Sequence, residues 1–152
     1  MRRRSSNKRL ILFIVALVIG LVIGFSNLFS NMGDQEPSDV VEDFYKAEQD
    51  GDFGSAWELF HPVMQKRFSK NAFVTERSHI YMSHYGVETF SYTLGKEAEL
   101  ENWKMAKDSK AFPVAHSFEV EQTFKSKFGT FIIKQKVYVV EVKEDWKIVW
   151  EY

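Results

Sequence analysis

Four histidines, at positions 61, 79, 84 and 116, are the residues of this chain best suited to acid–base or metal chemistry. There is no cysteine, which excludes disulfides, thiol nucleophiles, thiolate metal sites and the acylated cysteine of a bacterial lipoprotein. His79 and His84 are five residues apart on an expected helix, and an α-helix turns such residues roughly 140° from one another. Helical histidine pairs that chelate a metal sit four apart on one face, so this pair is not expected to bind one. Glu76-x-x-His79 reproduces one element of a di-iron carboxylate site, which needs a second copy and two further carboxylates on facing helices. Neither a metal nor a cofactor is expected.

His116 is the strongest candidate for proton transfer. It lies on an expected strand, and a histidine held in an apolar pocket is a credible general base. Tyr81, His84 and Tyr92 are the other candidates for such chemistry. The competing reading is structural: a single strand histidine next to Phe118 is more often satisfied by one hydrogen bond at the edge of a core. His61, directly before Pro62, reads as a turn residue. Trp146, Trp150 and Tyr152 alternate along a last strand and could stack on wall sugars, although that spacing is first of all a core pattern. Glu97, Glu99 and Glu101 alternate in the same way and read as a solvated face.

These residues need elements to hold them. Ser38 can cap a helix carrying Val40, Val41, Phe44, Tyr45 and Ala47, with Asp39 in its first turn and Gly51 as its stop. Asp52 opens a shorter helix with Phe53, Ala56, Trp57, Leu59 and Phe60 inward, ended or interrupted by Pro62. Ser69 caps a third, running to about Tyr85 before Gly86, with Phe73, Ile80 and Tyr81 as core contacts. Strands follow. Phe90, Tyr92 and Leu94 alternate, then Ala98 and Leu100, then a long strand 114–124 with His116, Phe118, Val120, Gln122 and Phe124 on one face. A turn at Asp108-Ser109-Lys110 precedes it. The stretch 128–142 is apolar on both faces over Ile132-Ile133 and Val139-Val140, as a central strand would be. Helices first and meandering strands afterwards predict an α+β domain with three helices on a curved antiparallel sheet.

Ahead of that domain, residues 10–29 are twenty positions without a charge. As a helix they span about 30 Å, the thickness of a bilayer's hydrocarbon core. Arg2, Arg3, Arg4, Lys8 and Arg9 precede them with no acid, which keeps the N-terminus cytoplasmic and sends the rest outward. A cleaved secretory signal is the rival, but Gly24-Phe25-Ser26 is a poor cleavage site. The expected organisation is a basic tail (1–9), a transmembrane helix (10–29), a polar linker (30–37) and an extracytoplasmic domain (38–152). Gly20-x-x-x-Gly24 is a spacing that would allow a homodimer through the anchor. Beyond residue 33 fifteen Lys and Arg face twenty-one Asp and Glu, a net charge of −6, and an acidic body argues against nucleic-acid binding.

The run VVEDFYKAEQDGDFGSAW at 40–57, followed by Phe60-His61-Pro62, resembles the opening of nuclear-transport-factor-2-like domains. Together with Ser69 to Phe73, Tyr85-Gly86-Val87 and Asp145 to Trp150, it is most similar to the non-catalytic N-terminal domain of methicillin-resistance-type penicillin-binding proteins. The resemblance covers nearly all of 38–152. It implies a cone-shaped domain with a pocket at its open end, in a superfamily of both enzymes and inert binding modules. Those penicillin-binding proteins continue into a transpeptidase; here Ser-x-x-Lys occurs at Ser5 to Lys8, in the basic tail, and neither Ser-Asp-Asn nor Lys-Thr-Gly occurs. The expectation is therefore a membrane-anchored binding or scaffolding module of the bacterial cell envelope. Its partner would be an envelope protein, a wall polymer or a small amphiphile. The alternative that the resemblance implies is a small acid–base enzyme acting on an apolar ligand in the cone pocket, with His116 beside Tyr81, His84 or Tyr92.

Overall fold

The computed structural model describes residues 35–152. The uncharged stretch 10–29 and the basic tail lie outside the described residues, and among the described residues no helix is long and apolar enough to cross a membrane. The domain is α+β: helices come first, then an antiparallel sheet.

Helix α1 spans Pro37–Gln49 and starts earlier than the expected Ser38 cap. Glu36 is its N-cap residue, Pro37 supplies the pre-set φ of a first helical position, and the Asp39 carboxylate accepts the Glu36 N–H at 3.0 Å. Helix α2, Phe53–Glu58, is capped by Asp52, whose carboxylate accepts the Ser55 N–H. Pro62 ends nothing by itself. It is the first residue of another helix, α3 (Pro62–Arg67), so the domain has one more helical segment than the apolar periodicity indicates. Helix α4, Lys70–His79, is capped by Ser69 as expected, then widens into a π-helical turn, Ile80–Tyr85, closed by Gly86 at φ 63°.

The strands are β1 (Ser91–Leu94), β2 (Ala98–Trp103), β3 (Phe112–Ser126), β4 (Gly129–Val142) and β5 (Asp145–Val149). β3 is the spine. It pairs with β4 from His116↔Val139 to Ser126↔Gly129, while β1 and β2 share its other edge end to end. β5 closes the β4 side. Phe60 continues from there by a parallel bridge to Ile148, with His61 N–H donating to the Ile148 carbonyl at 2.9 Å.

The helices and sheet bury one aromatic core. Trp150 meets Phe44 and Phe60 edge to face with centroids 6.0 and 4.8 Å apart, Phe44 and Phe60 pack at a tilt 5.2 Å apart, and Phe124 stacks on Phe131 at 5.1 Å. Each fully buried apolar side chain of this size contributes about 1.5–3 kcal/mol. Phe118, Val120, Gln122 and Phe124 are buried on the expected face of β3. The both-face burial expected of β4 holds at Val137–Val140 but not at Ile132, which is 53% exposed. There only one side of the hairpin is covered, by Tyr85 against Phe124 and Phe131, and the tip residue Phe128 is 80% exposed.

Candidate functional site

An apolar cavity opens where α3 meets the β2–β3 connection. Its volume is about 570 Å³, and it is lined by His61 and Val63 on one side and by Met105 and Ser109–Pro113 on the other. That is the size and lining of a small-ligand site: mostly apolar, with a few polar groups. The sequence reading of His61 as a turn residue misses its role. Its backbone is pinned to β5, and its Nδ1 accepts the Val63 N–H at 3.0 Å, capping α3. The proton of the neutral ring is thereby assigned to Nε2. Burial lowers the pKa of His61, which favours that neutral form.

The opposite wall is held as firmly. Ser109 Oγ accepts the Ala106 N–H and donates to the Ala106 carbonyl, closing the expected turn. The Tyr152 N–H donates to the Met105 carbonyl at 3.0 Å, and Met105 is buried. Phe112 meets the His61 ring edge to face at 5.2 Å and stacks on Trp103, which in turn stacks on Tyr138 at 4.0 Å. Tyr138 donates to the Glu151 carboxylate at 2.6 Å; burial, then that carboxylate, pushes its pKa up to about 12. Lys104, Lys107 and Lys110 belong to this connection with Asp108 as its one acid, and none of the three forms a salt bridge among the described residues. Of the three, Lys110 lines the cavity itself. A second cavity, about 490 Å³, lies between Gln49, the segment 86–91 and Thr123 and Lys125, and is more polar.

The four residues considered for acid–base work are not brought together. His116 stands opposite Glu99 and Val139 on β3; its Nδ1 lies 2.6 Å from the Glu97 carboxylate and its ring meets Trp146 edge to face. Tyr81 packs against Phe124 and touches Gln122, six residues along the same strand from His116, which is about 20 Å of strand. Tyr92 donates to the Glu42 carbonyl at 3.3 Å, and burial followed by the Glu42 charge raises its pKa. His84 is exposed on the π-helical turn, with its ring 4.7 Å from that of His79. The expected angular separation of those two histidines is thus overturned: it assumed an α-helix, and the backbone there is π-helical.

Tyr81 belongs instead to a buried polar cluster whose centre, Glu48, the sequence reading did not single out. The Glu48 side chain is fully buried and takes a two-point pairing from Arg77, Nε at 2.7 Å and Nη2 at 2.5 Å. Tyr81 donates to Glu48 at 3.0 Å, accepts from Arg77 at 2.7 Å, and receives the Gln122 amide at 3.4 Å. Burial and the Glu48 charge both raise the Tyr81 pKa far above its ordinary value. Burial disfavours charge on Arg77, yet Glu48 and the two tyrosines beside it outweigh that and keep the guanidinium protonated. Every member has partners, so the cluster reads as an internal clamp between α1, α4 and β3.

Glu58-x-x-His61 is a second Glu-x-x-His in the chain, but His61 Nδ1 is spent as a helix cap. Among the described residues no group of three or more His, Asp or Glu is placed to hold a metal ion. Trp146 and Trp150 pack on the core, and Tyr152 lies half exposed under the Arg67 guanidinium, 3.4 Å from its ring centre. Glu97, Glu99 and Glu101 are exposed, as expected. No protein-family model matches this chain, and no curated protein matches it in sequence.

Proposed function

We propose that the chain is a non-catalytic binding module of the bacterial cell envelope, anchored in the membrane by residues 10–29, with a nuclear-transport-factor-2-like domain outside. Its ligand is a small amphiphile with an apolar body and an anionic end. The observation that carries this reading is the His61 cleft. Its walls are apolar and rigidly braced, and three lysines stand in the connection that forms one wall. The space between helices and sheet, by contrast, is filled by Phe44, Phe60, Phe73, Phe124 and Tyr81. An enzyme built on His116 has less support, because the candidate partners lie elsewhere and the imidazole is paired with Glu97.

The anchored, outward arrangement rests on the uncharged stretch and its basic flank. The ligand reading is tested with the full chain in detergent, using an environment-sensitive naphthylamine dye displaced by decanoate. Dye binding is expected to be saturable, and to be lost in Ala111→Trp, whose indole fills the cleft. Lys110→Glu should weaken decanoate more than the uncharged dye. Unchanged binding by Ala111→Trp would overturn the site. The compartment is tested separately: a reporter fused after Tyr152 and found in the cytosol of whole cells would overturn the envelope role.

A further inference from the structure

We propose that His79 and His84 form an exchangeable surface site for a divalent transition metal of the Cu²⁺, Ni²⁺ and Zn²⁺ group. α4 reaches His79 and then continues as the π-helical turn Ile80–Tyr85. In a π-helical turn the hydrogen bonds run between residues five apart, and the wider turn brings positions five apart towards one face. The two rings accordingly meet with centroids 4.7 Å apart and planes at 69°. A metal held at about 2.0–2.1 Å by one nitrogen of each ring stands about 3.2 Å from each ring centre. Two ligands at right angles then place the centroids about 4.5 Å apart, and two tetrahedral ligands about 5.2 Å apart. The observed spacing falls between them.

The pair is held from behind. Tyr81, buried in the Glu48–Arg77–Gln122 cluster, and Tyr85, packed on Phe124 and Phe131, fix the inner side of the turn. Both imidazoles are exposed on the outer side, and among the described residues neither makes a side-chain hydrogen bond or a salt bridge. Their ring nitrogens are therefore not committed to side-chain partners. Since no third residue completes the set, water fills the other coordination positions. Permanent zinc sites use three or four protein ligands, so this site exchanges its ion, and Cu²⁺ is expected to bind most tightly.

The test uses the untagged full chain in detergent, stripped with a chelator and titrated with Cu²⁺ and with Zn²⁺. One equivalent of Cu²⁺ should broaden the backbone NMR signals of 79–85 selectively, and Zn²⁺ should shift the same signals with weaker affinity. His79→Ala and His84→Ala should each lower affinity at least tenfold and to the level of the double variant, because one imidazole alone does not chelate. His116→Ala should bind as the parent does. Spectra in chelator check that each variant is folded, and His→Gln replaces any alanine variant that is not. The proposal is overturned if the parent shows no saturable binding, if either single variant binds as tightly as the parent, or if the perturbed signals lie around His61 or His116.

Discussion

Arg77 grips Glu48 at two points, Nε to Oε1 at 2.7 Å and Nη2 to Oε2 at 2.5 Å, although the two residues are 29 positions apart. Glu48 ends the inward face of α1, and Arg77 occupies the last turn of α4, so the pair fixes how these helices sit on the sheet. Removing one partner strands the other. Glu48→Ala or Arg77→Ala should cost about 3–5 kcal/mol, the range for breaking a buried pair. The double change Glu48→Leu with Arg77→Met should cost less than either single change, because no charge is left buried alone. Chemical denaturation of the three variants checks this. A double variant as unstable as the sum of the singles would show that the pairing geometry is not what matters.

Trp150 behaves differently. Its ring is surrounded by Phe44, Phe60, Phe68 and Phe73, yet its buried Nε1–H has no hydrogen-bond partner among the described residues. An unpaired buried donor costs about 1–3 kcal/mol. Trp150→Phe removes that penalty along with part of the apolar surface, so it should destabilise by less than about 2 kcal/mol. Trp150→Ala should cost about 3–5 kcal/mol. Equal losses for the two variants, measured by thermal unfolding, would contradict this account.

Much of the architecture was readable from period and punctuation. The apolar stripe Val40–Val41–Phe44–Tyr45, the caps Asp52 and Ser69, and the alternation Phe118–Val120–Gln122–Phe124 all specify their elements locally, and all are where that pattern puts them. Three features were not readable, each for a physical reason. Pro62 is compatible both with ending a helix and with opening one, and only the bridge of Phe60 to Ile148, eighty-eight residues along, decides between them. Glu48 follows Ala47 on a face that should be apolar; its partner Arg77 is far in sequence, so the charge looks like a surface residue. The π-helical turn shares its apolar spacing with an α-helix over so short a run, which hid the approach of His84 to His79. The candidate site suffered most, because the His61 cleft is made by a cap residue and a loop, neither of which has a period to read.

Gly86 terminates the π-helical turn in the left-handed region, φ 63° and ψ 40°. A Cβ there would meet only the Lys127 side chain at an ordinary 3.7 Å, so the cost of substitution is conformational and not steric crowding. Gly86→Ala should therefore destabilise by about 1–2 kcal/mol, and Gly86→Asn by less, since asparagine tolerates this region better. The comparison of melting temperatures between these two variants is the check; an alanine variant as stable as the parent would mean the turn re-forms with another closure.

His61 links the cleft to pH. Its folded pKa lies below the ordinary value of about 6.5, because burial penalises the charged ring. Protonation would also take Nδ1 away from the Val63 N–H that it caps. As the pH falls through about 6.5 the unfolded chain takes up this proton and the folded one does not, so stability declines over that window and levels off below the folded pKa. His61→Asn keeps an acceptor at the N-cap position but cannot be protonated. Its melting temperature should fall less than the parent's between pH 7 and pH 5, and the difference between the two slopes reports His61 alone. If both proteins lose stability in parallel, the imidazole is not buried in the way the cleft requires, and its Nε2–H is not a fixed donor at the cleft wall.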